Sequence, residues 1–395
     1  MGISLGLVGL GSFGSTFVDL FRVHPLVDRI ALCDREPDRV AAWANKLAGK
    51  PKFKPADAYT SLAEICRSDL DALVIITQPW LHAAQAVQAM EAGKHVYSAV
   101  PVVTLPSGDE ILDWCDKLIQ TCRRTGLSYM LGETTYYRSQ AMYCRRQAAK
   151  GAFGHFVYAE GEYLHDVDSP TSNLREVQRR RLASKAGQEW LERVKSNQNK
   201  DIGVLSGPMH YPTHSTSGPI SIMQAHAVRV CAWGYLSPRP DDFFGGDFTN
   251  ETALFKMSNG ATMRICEYRQ IGHFDTEIFR IFGTEGAFRE NSWLDKRART
   301  TLSVEEMRDP LPAEVEAAFR NVSQNSDFYG GHGGSHAYLV HEFVEAIAQE
   351  RMPAINAWEA VRYMAAGVMA HKSALRDGEP LDVPDWGDAP AQAIS

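Results

Sequence analysis

A glycine-rich segment near the N-terminus has the residue types and the spacing that bind the phosphates of a dinucleotide. Three glycines form a G-x-G-x-x-G pattern between a short apolar run and a run with helical spacing, which is the context this motif requires. The first glycine permits a tight turn, the second lets the backbone approach a pyrophosphate, and the third lets the helix pack on the strand. The helix N-terminus supplies N–H donors to the phosphates. We therefore predict cofactor contacts from Gly9, Gly11, Ser12, Phe13 and Gly14.

An acidic residue at the end of the second apolar run extends this pattern. Asp34 lies twenty residues after Gly14, where a carboxylate accepts hydrogen bonds from the adenosine ribose and repels a 2′-phosphate. The cofactor NAD is therefore favoured over NADP. Arg35 weakens the preference, because a guanidinium there would pair with a phosphate or stack on adenine. We predict that Asp34 and Arg35 both contact the cofactor.

A second group of residues is suited to proton transfer. Tyr211 and His214 lie three positions apart, so on a helix or a tight turn their side chains project to one side. Histidine titrates near neutral pH, which suits general acid–base catalysis. His210 and His214 with Asp166 would be a possible metal-ligand set, but no HExxH or other short paired spacing supports it, so no metal is predicted.

The elements that would position these residues fall into two patterns. Over the first 132 residues, apolar runs alternate with segments of helical spacing, which is typical of a doubly wound parallel sheet. We predict an α/β Rossmann domain over residues 1–132. Its strands are expected at 3–8, 29–33, 71–76, 95–100 and 127–132, and its helices at 13–23, 37–48, 80–92 and 107–125.

The second pattern begins at about residue 133, where strands follow one another with few helices between them. Ser258-Asn259-Gly260 separates two of these strands and indicates a hairpin. We predict an α+β domain with an open, mostly antiparallel sheet over residues 133–380, and a tail at 381–395. Strands are expected at 155–164, 225–235, 251–257, 261–268 and 277–283, and helices at 335–350 and 357–375.

The composition limits the class of protein. A chain of 395 residues suggests two domains, and its 44% hydrophobic and 23% charged content is ordinary for a globular protein. The net charge of −7 argues against nucleic acid as a partner, and no apolar run is long enough to span a membrane. The N-terminus lacks the basic region of a signal peptide, and the seven scattered cysteines form no CxxC pair. We therefore expect a cytoplasmic protein.

Two further motifs carry a resemblance to a known family. Residues 77–82, Thr-Gln-Pro-Trp-Leu-His, and residues 92–96, Ala-Gly-Lys-His-Val, resemble motifs of the Gfo/Idh/MocA oxidoreductases. The resemblance covers nearly the whole chain, since that family also has an open antiparallel sheet in its second domain. It implies NAD-dependent chemistry, with further cofactor contacts from Thr77, Gln78, His82, Ala99 and Val100.

The chain departs from the dehydrogenases of that family at two places. Those enzymes follow the fourth strand with Glu-Lys-Pro, whose lysine aids proton transfer, whereas this chain has Ala99-Val100-Pro101, and valine cannot carry a proton. They also place an aspartate four residues before a histidine, and here His210 takes the aspartate position before His214. Both departures resemble one branch of the family, the NAD-dependent glycosidases typified by α-N-acetylgalactosaminidase.

The glycosidase branch is similar to this chain at four other motifs. They are a glutamate near the end of the fifth strand, Tyr-Leu-His-Asp at 163–166, Tyr-Pro-Thr-His at 211–214, and Gly-His-Gly-Gly at 331–334. The resemblance implies catalytic roles for His214, Tyr211, Glu133 and Tyr163. It implies substrate contacts from His210, His165, Asp166 and His332.

The same resemblance implies a redox-assisted cleavage of a glycoside. NAD⁺ takes hydride from C3 of the sugar, C2 loses a proton, the C1 group is eliminated, water adds, and hydride returns to C3. In this scheme His214 handles the proton of the C3 hydroxyl, and Tyr211 or Tyr163 takes the C2 proton. Glu133 would serve the water or the leaving group.

Two alternative functions stay open. One is a sugar or cyclitol dehydrogenase that releases a keto-sugar, with His214 or Tyr211 substituting for the lysine. The other is a non-catalytic dinucleotide-binding regulator, against which the dense set of tyrosines and histidines argues. In each enzymatic case the ligand is a small sugar or glycoside, and we expect a homodimer or homotetramer, because an open sheet face is usually covered by another subunit.

A basic stretch over residues 168–200 interrupts the second domain. We interpret it as a mobile excursion or a solvated helix. The alternative is that its arginines bind an anionic substituent of the sugar, such as a carboxylate or a sulfonate. These arginines are Arg175, Arg179, Arg180 and Arg181.

Overall fold

A computed structural model describes residues 2–170, 174–196, 207–238, 243–244, 246–272, 275–322 and 328–391. Its first sheet is parallel throughout and has the strand order 3-2-1-4-5-6. The six strands are β1 (Ile3–Val8), β2 (Val27–Cys33), β3 (Phe53–Tyr59), β4 (Ala72–Ile75), β5 (His95–Ala99) and β6 (Tyr129–Gly132). The strand order reverses between β1 and β4, so the carboxyl ends of these strands border the crevice in which such sheets bind ligands.

Five helices cover the first sheet, and together they confirm the doubly wound class. They are α1 (Val18–Val23), α2 (Pro37–Leu47), α3 (Leu62–Cys66), α4 (His82–Glu91) and α5 (Gly108–Thr125). The hydroxyl of Ser107 caps α5 by accepting a hydrogen bond from the Glu110 N–H. The sequence did not predict β3, because its exposed residues Lys54, Pro55 and Ala56 are those of an edge strand rather than of a buried apolar one.

The second sheet has nine strands in the order 14-13-12-11-7-10-9-8-15, and its neighbouring pairs are antiparallel except for one. Its strands are β7 (Phe156–Leu164), β8 (Ala227–Tyr235), β9 (Asn250–Met257), β10 (Thr262–Tyr268), β11 (Thr276–Gly283), β12 (Gly286–Arg289), β13 (Ser292–Asp295), β14 (Arg299–Thr301) and β15 (Leu381–Asp382). The hairpin expected at 258–260 joins β9 to β10. The expected tail begins inside the sheet, since β15 pairs with β8.

Nine further helical segments lie in the described part of the chain after β6. They are α6 (Ser139–Ala149), α7 (Leu174–Ala183), α8 (Lys185–Ser196), α9 (Thr213–Met223), α10 (Val304–Met307), α11 (Ala313–Arg320), the single turn α12 (Gly331–Gly334), α13 (His336–Ala348) and α14 (Ala357–Ala374). Among them, α11 and α13 contact α1 of the first domain. Every residue of α9 is buried between the sheet and α14. A Cβ at Gly161 on β7 would lie 1.9 Å from the carbonyl oxygen of Ser215, so glycine is what lets α9 approach the sheet so closely.

The opposite face of the second sheet is open. Alternate residues of its strands point outward, and several of them are large apolar side chains: Trp233, Tyr235, Leu254 and Ile278. Among the described residues, no helix combines the length and the apolar character needed to cross a membrane.

Candidate active site

The glycine loop after β1 has the shape that a dinucleotide phosphate needs. Gly9 has φ of +98°, and a Cβ there would lie 2.1 Å from the carbonyl oxygen of Ile76. A Cβ at Gly14 would lie 2.0 Å from the carbonyl oxygen of Gly9, so both positions require glycine. Above Gly11, by contrast, the nearest atom is 3.9 Å away, on Arg39. This open approach to the backbone fits a bound pyrophosphate.

Asp34 stands at the end of β2 with its carboxylate fixed toward the glycine loop. One oxygen accepts a hydrogen bond from the Leu10 N–H at 2.7 Å, and the other accepts one from the Glu36 N–H at 2.9 Å. The carboxylate retains lone pairs for the hydroxyls of a ribose. Arg39, which the sequence analysis did not single out, lies 3.6 Å from Asp34. Arg35 is instead paired with Glu189 of α8, so its guanidinium is held by a protein carboxylate.

The segments after β4 and β5 are tied together by His82. This histidine is buried, with Nδ1 2.9 Å from the carbonyl oxygen of Pro101 and Nε2 3.3 Å from that of Thr77. Burial lowers the pKa of His82 to about 4, so it is neutral. The structure therefore places His82 between the loops that follow β4 and β5, and its contact with the cofactor stays a prediction.

The other residues that the resemblance implied for the cofactor line the same edge of the sheet. Thr77 donates a hydrogen bond to Gln85 at 2.5 Å, and Gln78 begins the short turn before α4. Ala99 ends β5 and Val100 follows it, both of them buried. A cis peptide bond joins Val100 to Pro101.

The second sheet contributes an acid–base cluster that meets the end of β6. His214, at the start of α9, has Nδ1 2.9 Å from Oε1 of Glu133 and 3.6 Å from Oε1 of Glu277. Burial alone would lower the pKa of His214, but the two carboxylates outweigh it and raise this pKa to about 9. The same contacts keep the pKa of Glu133 low despite its burial. At neutral pH the cluster is an imidazolium between two carboxylates.

Ligand atoms of these three residues lie within 4.8 Å of one another, which is a spacing that a metal ion would tolerate. The three side chains also hold one another directly, with Nδ1 of His214 2.9 Å from Oε1 of Glu133. Glu277 is also held in place by Arg138, whose Nη2 lies 2.5 Å from its Oε2, and by the hydroxyl of Thr135. The charges of the cluster are balanced by the protein itself.

Two phenols lie against the imidazole. The ring of Tyr163 is centred 5.0 Å from that of His214, and the ring of Tyr211 5.7 Å from it. The hydroxyl of Tyr211 lies 3.4 Å from the carbonyl oxygen of Val100, beside the position where the related dehydrogenases have lysine. The hydroxyl of Tyr163 lies 2.5 Å from Nδ1 of His165. The structure thus brings together Glu133, Tyr163, His165, Tyr211 and His214.

Tyrosine protonation states follow from burial. Burial raises the pKa of Tyr211 to about 12 and that of Tyr163 well above its ordinary value. Burial lowers the pKa of His165 to about 4, so its Nδ1 is free to accept the proton of the Tyr163 hydroxyl. Tyr163 and His165 therefore form a neutral hydrogen-bonded pair.

Two of the predicted substrate contacts, His210 and Asp166, bond to the backbone. His210 is fully buried on the far side of the turn, with Nδ1 3.0 Å from the carbonyl oxygen of Leu105. Asp166 shapes its own loop, accepting hydrogen bonds from the N–H groups of Asp168 and Ile271 at 2.7 and 2.6 Å. A direct sugar contact from His210 or Asp166 stays a prediction.

His332 lies beside the dinucleotide loop. Its ring is 5.6 Å from that of Phe13, and its Nδ1 is 2.9 Å from Nε2 of His336. Its φ of +55° is unusual for a side-chain-bearing residue. His332 therefore lies next to the glycine loop, and its contact with the substrate stays a prediction.

The arginines of the basic stretch divide into two groups. Arg175 pairs with Asp168, and Arg179 and Arg180 pair with Glu176 at the surface. Arg181 is half-buried, and its burial lowers the pKa of its guanidinium, which lies within electrostatic range of Tyr163 and Tyr211. The expectation of a solvated helix describes the first group, while Arg181 faces the site. Residues 171–173 and 197–200 of the stretch lie outside the described residues.

Sequence reasoning missed the charged residues that pack against Tyr163. The guanidinium of Arg269 lies 4.5 Å from the centre of the Tyr163 ring and 2.6 Å from Oε2 of Glu267. Glu267 accepts a hydrogen bond from Ser215, which adjoins His214. Burial raises the pKa of Glu267 to about 7. The signal available in the sequence was a charged residue, Glu267, at an inward-facing position of β10, whose other inward residues are apolar.

Comparisons with known proteins agree with this architecture. A family model described as an oxidoreductase family with an NAD-binding Rossmann fold matches residues 3–133, and one for the glycosyl hydrolase 109 C-terminal domain matches residues 240–390. A glycosyl hydrolase family 109 protein of Bacteroides fragilis is 36% identical over 97% of this chain and 85% of its own length. Another from Streptomyces niveus is 26% identical over 97% and 77%.

A solved structure shows the same fold at lower identity. Levoglucosan dehydrogenase in complex with NADH and L-sorbose has a TM-score of 0.71 and 18% sequence identity, and the match covers 98% of this chain and 100% of that one. The match confirms the pairing of a Rossmann sheet with a second, mostly antiparallel sheet. On the sequence matches, the chain belongs to glycosyl hydrolase family 109, with the NAD-binding Rossmann domain of the Gfo/Idh/MocA oxidoreductases.

Proposed function

We propose that the protein is an NAD-dependent glycosidase that cleaves its substrate through transient oxidation at C3. The observation that carries the proposal is the imidazolium–carboxylate cluster of His214, Glu133 and Glu277, flanked by Tyr163 and Tyr211 at the carboxyl edge of the Rossmann sheet. This set offers separate groups for two different protons, and elimination needs both. A simple oxidation needs only one.

When bound, NAD⁺ accepts hydride from C3 of the sugar and returns it at the end of the cycle. His214 takes the proton of the C3 hydroxyl in its neutral form and returns it as the imidazolium. Glu133 is buried behind His214, so it acts by orienting the imidazole and stabilising its charge rather than by contacting water.

Tyr163 is our choice for the C2 proton. Its oxygen accepts that proton while its own hydroxyl proton passes to Nδ1 of His165, so no phenolate has to form beforehand. Loss of this proton forms the C1–C2 double bond as the C1–O bond breaks. The departing oxygen takes up a proton from water as the remaining hydroxide adds at C1. Tyr163, whose proton exchanges with solvent in the meantime, then returns a proton to C2. Tyr211 has no such acceptor, because its hydroxyl faces the carbonyl oxygen of Val100.

One assay tests the function directly. The enzyme is incubated with p-nitrophenyl glycosides and a catalytic amount of NAD⁺, while phenol release and NADH absorbance are followed together. Phenol release without net NADH, with deuterium from D₂O found at C2 of the product, is the expected result. NADH formed in proportion to a keto-sugar, with no phenol, would contradict it.

A sugar or cyclitol dehydrogenase is the second candidate. The observation in its favour is that His214, backed by Glu133, would accept a hydroxyl proton without help from the missing lysine. Levoglucosan dehydrogenase has this fold as well. The Tyr163–His165 pair argues for elimination, since an oxidation at one carbon leaves that pair without a task.

We also propose that NAD is preferred over NADP. The carboxylate of Asp34 is buried and aimed at the glycine loop, where it would repel a 2′-phosphate. Arg35, the residue that would favour NADP, is paired with Glu189. Titration with each cofactor should give a lower Kd for NAD, and equal affinities would refute the preference.

We propose further that a second copy of the chain covers the open sheet face. Trp233, Tyr235 and Leu254 each expose about half of their surface there, and contiguous apolar area of this kind marks protein interfaces. Light scattering on the wild type should show a dimer or tetramer. Leu254→Glu should shift it toward the monomer.

A further inference from the structure

Helix α8 belongs to the second domain by sequence, yet its side chains contact the Rossmann domain. Trp190 stacks on Trp80, with ring centres 5.2 Å apart and planes within 17°. Glu189 accepts two hydrogen bonds from Arg35, at 2.8 and 2.5 Å. Both tryptophans are buried, whereas Arg35 and Glu189 are largely exposed.

Two more contacts attach the ends of the helix. The N–H of Lys185 donates to Glu36 at 3.3 Å, and Arg193 donates to Glu110 at 2.5 Å. Glu110 lies in the first turn of α5. The helix is thus held along its length by residues of the Rossmann domain.

The residues that anchor α8, Arg35 and Trp80, lie on two different strand ends of the Rossmann sheet. Arg35 directly follows Asp34 at the end of β2, and Trp80 lies just beyond Thr77 at the end of β4. In the sheet, β2 and β4 are the two neighbours of β1, which carries the glycine loop. The anchors therefore stand on opposite sides of the crevice in which a doubly wound sheet binds its dinucleotide.

We propose that α8 forms an outer wall across the cofactor crevice and slows the dissociation of NAD, with Trp190 and Glu189 as its attachments. The inference rests on the proposed function in one respect, namely that the cofactor is reoxidised in place. A dehydrogenase must exchange NADH for NAD⁺ in every cycle, so such a wall would limit its rate. A glycosidase that returns its hydride needs no exchange.

The two attachments should behave differently in salt. The Arg35–Glu189 pair is exposed on both sides, so salt screens it. The Trp80–Trp190 stack is buried and apolar, so salt leaves it intact. The dissociation rate of the cofactor should therefore rise with ionic strength to a plateau that the stack sets.

The test measures the dissociation rate of NADH from the loaded enzyme, by mixing it with excess NAD⁺ and following the loss of bound NADH fluorescence. Trp190→Ala should raise the rate about tenfold, since an aromatic pair contributes on the order of one decade in an equilibrium constant. Trp190→Phe, which keeps a stacked ring, should recover part of the loss. Glu189→Gln should raise the rate at low salt and flatten its salt dependence.

Glu176→Gln on α7 is the matched control, because it removes an exposed glutamate of the neighbouring helix that pairs with Arg179 and Arg180 of its own helix. It should leave the rate unchanged. Wild-type rates in folded Trp190→Ala and Glu189→Gln would overturn the proposal. If Trp190→Ala does not fold, the exposed Glu189→Gln decides alone. Phenol release by the wild type tests the proposed function separately, so the two failures are distinguishable.

Discussion

Two buried histidines in this protein each lie beside two carboxylates, but the other side chains around them differ. His214 lies between Glu133 and Glu277, and His371 on α14 has Nδ1 2.9 Å from Glu251 and Nε2 3.7 Å from Asp247. In both, burial lowers the histidine pKa while the carboxylates outweigh it and raise it. Charge pairing alone therefore does not separate a catalytic centre from a structural one.

The neighbours make the difference. Around His371 the groups are His210, whose ring lies 4.4 Å away, and the N–H of Met209, which donates to Glu251 at 3.0 Å. These contacts fix the turn that precedes Tyr211. Around His214 the neighbours are the phenols of Tyr163 and Tyr211, at the carboxyl edge of the Rossmann sheet. We infer that the His371 cluster anchors the backbone from behind, while the His214 cluster performs proton transfer.

The largest effect is expected from removing the imidazole at the cofactor edge. His214→Ala should lower kcat for phenol release by about 10³-fold, because it removes the group that exchanges the C3 hydroxyl proton. The affinity for NAD, measured by fluorescence titration, should change little. A loss of NAD binding would remove the catalytic role assigned to His214.

A smaller loss is expected from the phenol that distinguishes this cluster. Tyr163→Phe should lower phenol release by about 10²-fold and slow deuterium uptake at C2 to the same extent, because the C2 proton loses its acceptor. NADH should still form in the first half-reaction, since oxidation at C3 does not use Tyr163. The matched control is Tyr158→Phe on the same strand, whose ring stacks on Phe282 on the outer sheet face. Normal C2 exchange in Tyr163→Phe would reassign the base to Tyr211.

These contrasts also show what the sequence was able to predict. The glycine loop, Asp34 and the strands on either side were predictable because the motif, the apolar runs and the turn residues are local. The spacing of Tyr211 and His214 correctly predicted that their side chains lie close together, although Tyr211 lies in the turn before the helix and not on the helix itself. Tyr211 precedes the helix with φ of −131°, and α9 begins at Thr213.

The same local reasoning does not reach contacts whose partner is distant in sequence. His210 is adjacent to Tyr211, but the turn at Pro208–His210 directs it toward Leu105 and His371. Glu277 reaches His214 only because β11 pairs with β7 in the sheet. Spacing along a chain does not specify that register, so Glu277 and Arg269 could not have been found from it.

The cluster of His371 and Glu251 should affect the stability of the fold rather than catalysis. His371→Leu should lower the free energy of unfolding by about 3 kcal/mol, because Glu251 is left buried without its counter-charge. Adding Glu251→Gln should recover part of this loss, since a neutral amide needs no counter-charge. Urea denaturation measures both changes. An unaltered unfolding free energy in His371→Leu would show that its charge does not support the fold.

The smallest effect is a shift in pH dependence. Because His214 must be neutral to accept the C3 hydroxyl proton and its pKa is raised to about 9, kcat/KM should fall as the pH drops below about 9. Glu133→Gln removes one carboxylate that stabilises the imidazolium, so the inflection should move to lower pH. Glu251→Gln is the matched control in the second cluster and should leave the inflection in place. An inflection that moves only in Glu251→Gln would exchange the roles assigned to the two histidines, because the titrating group would then be His371.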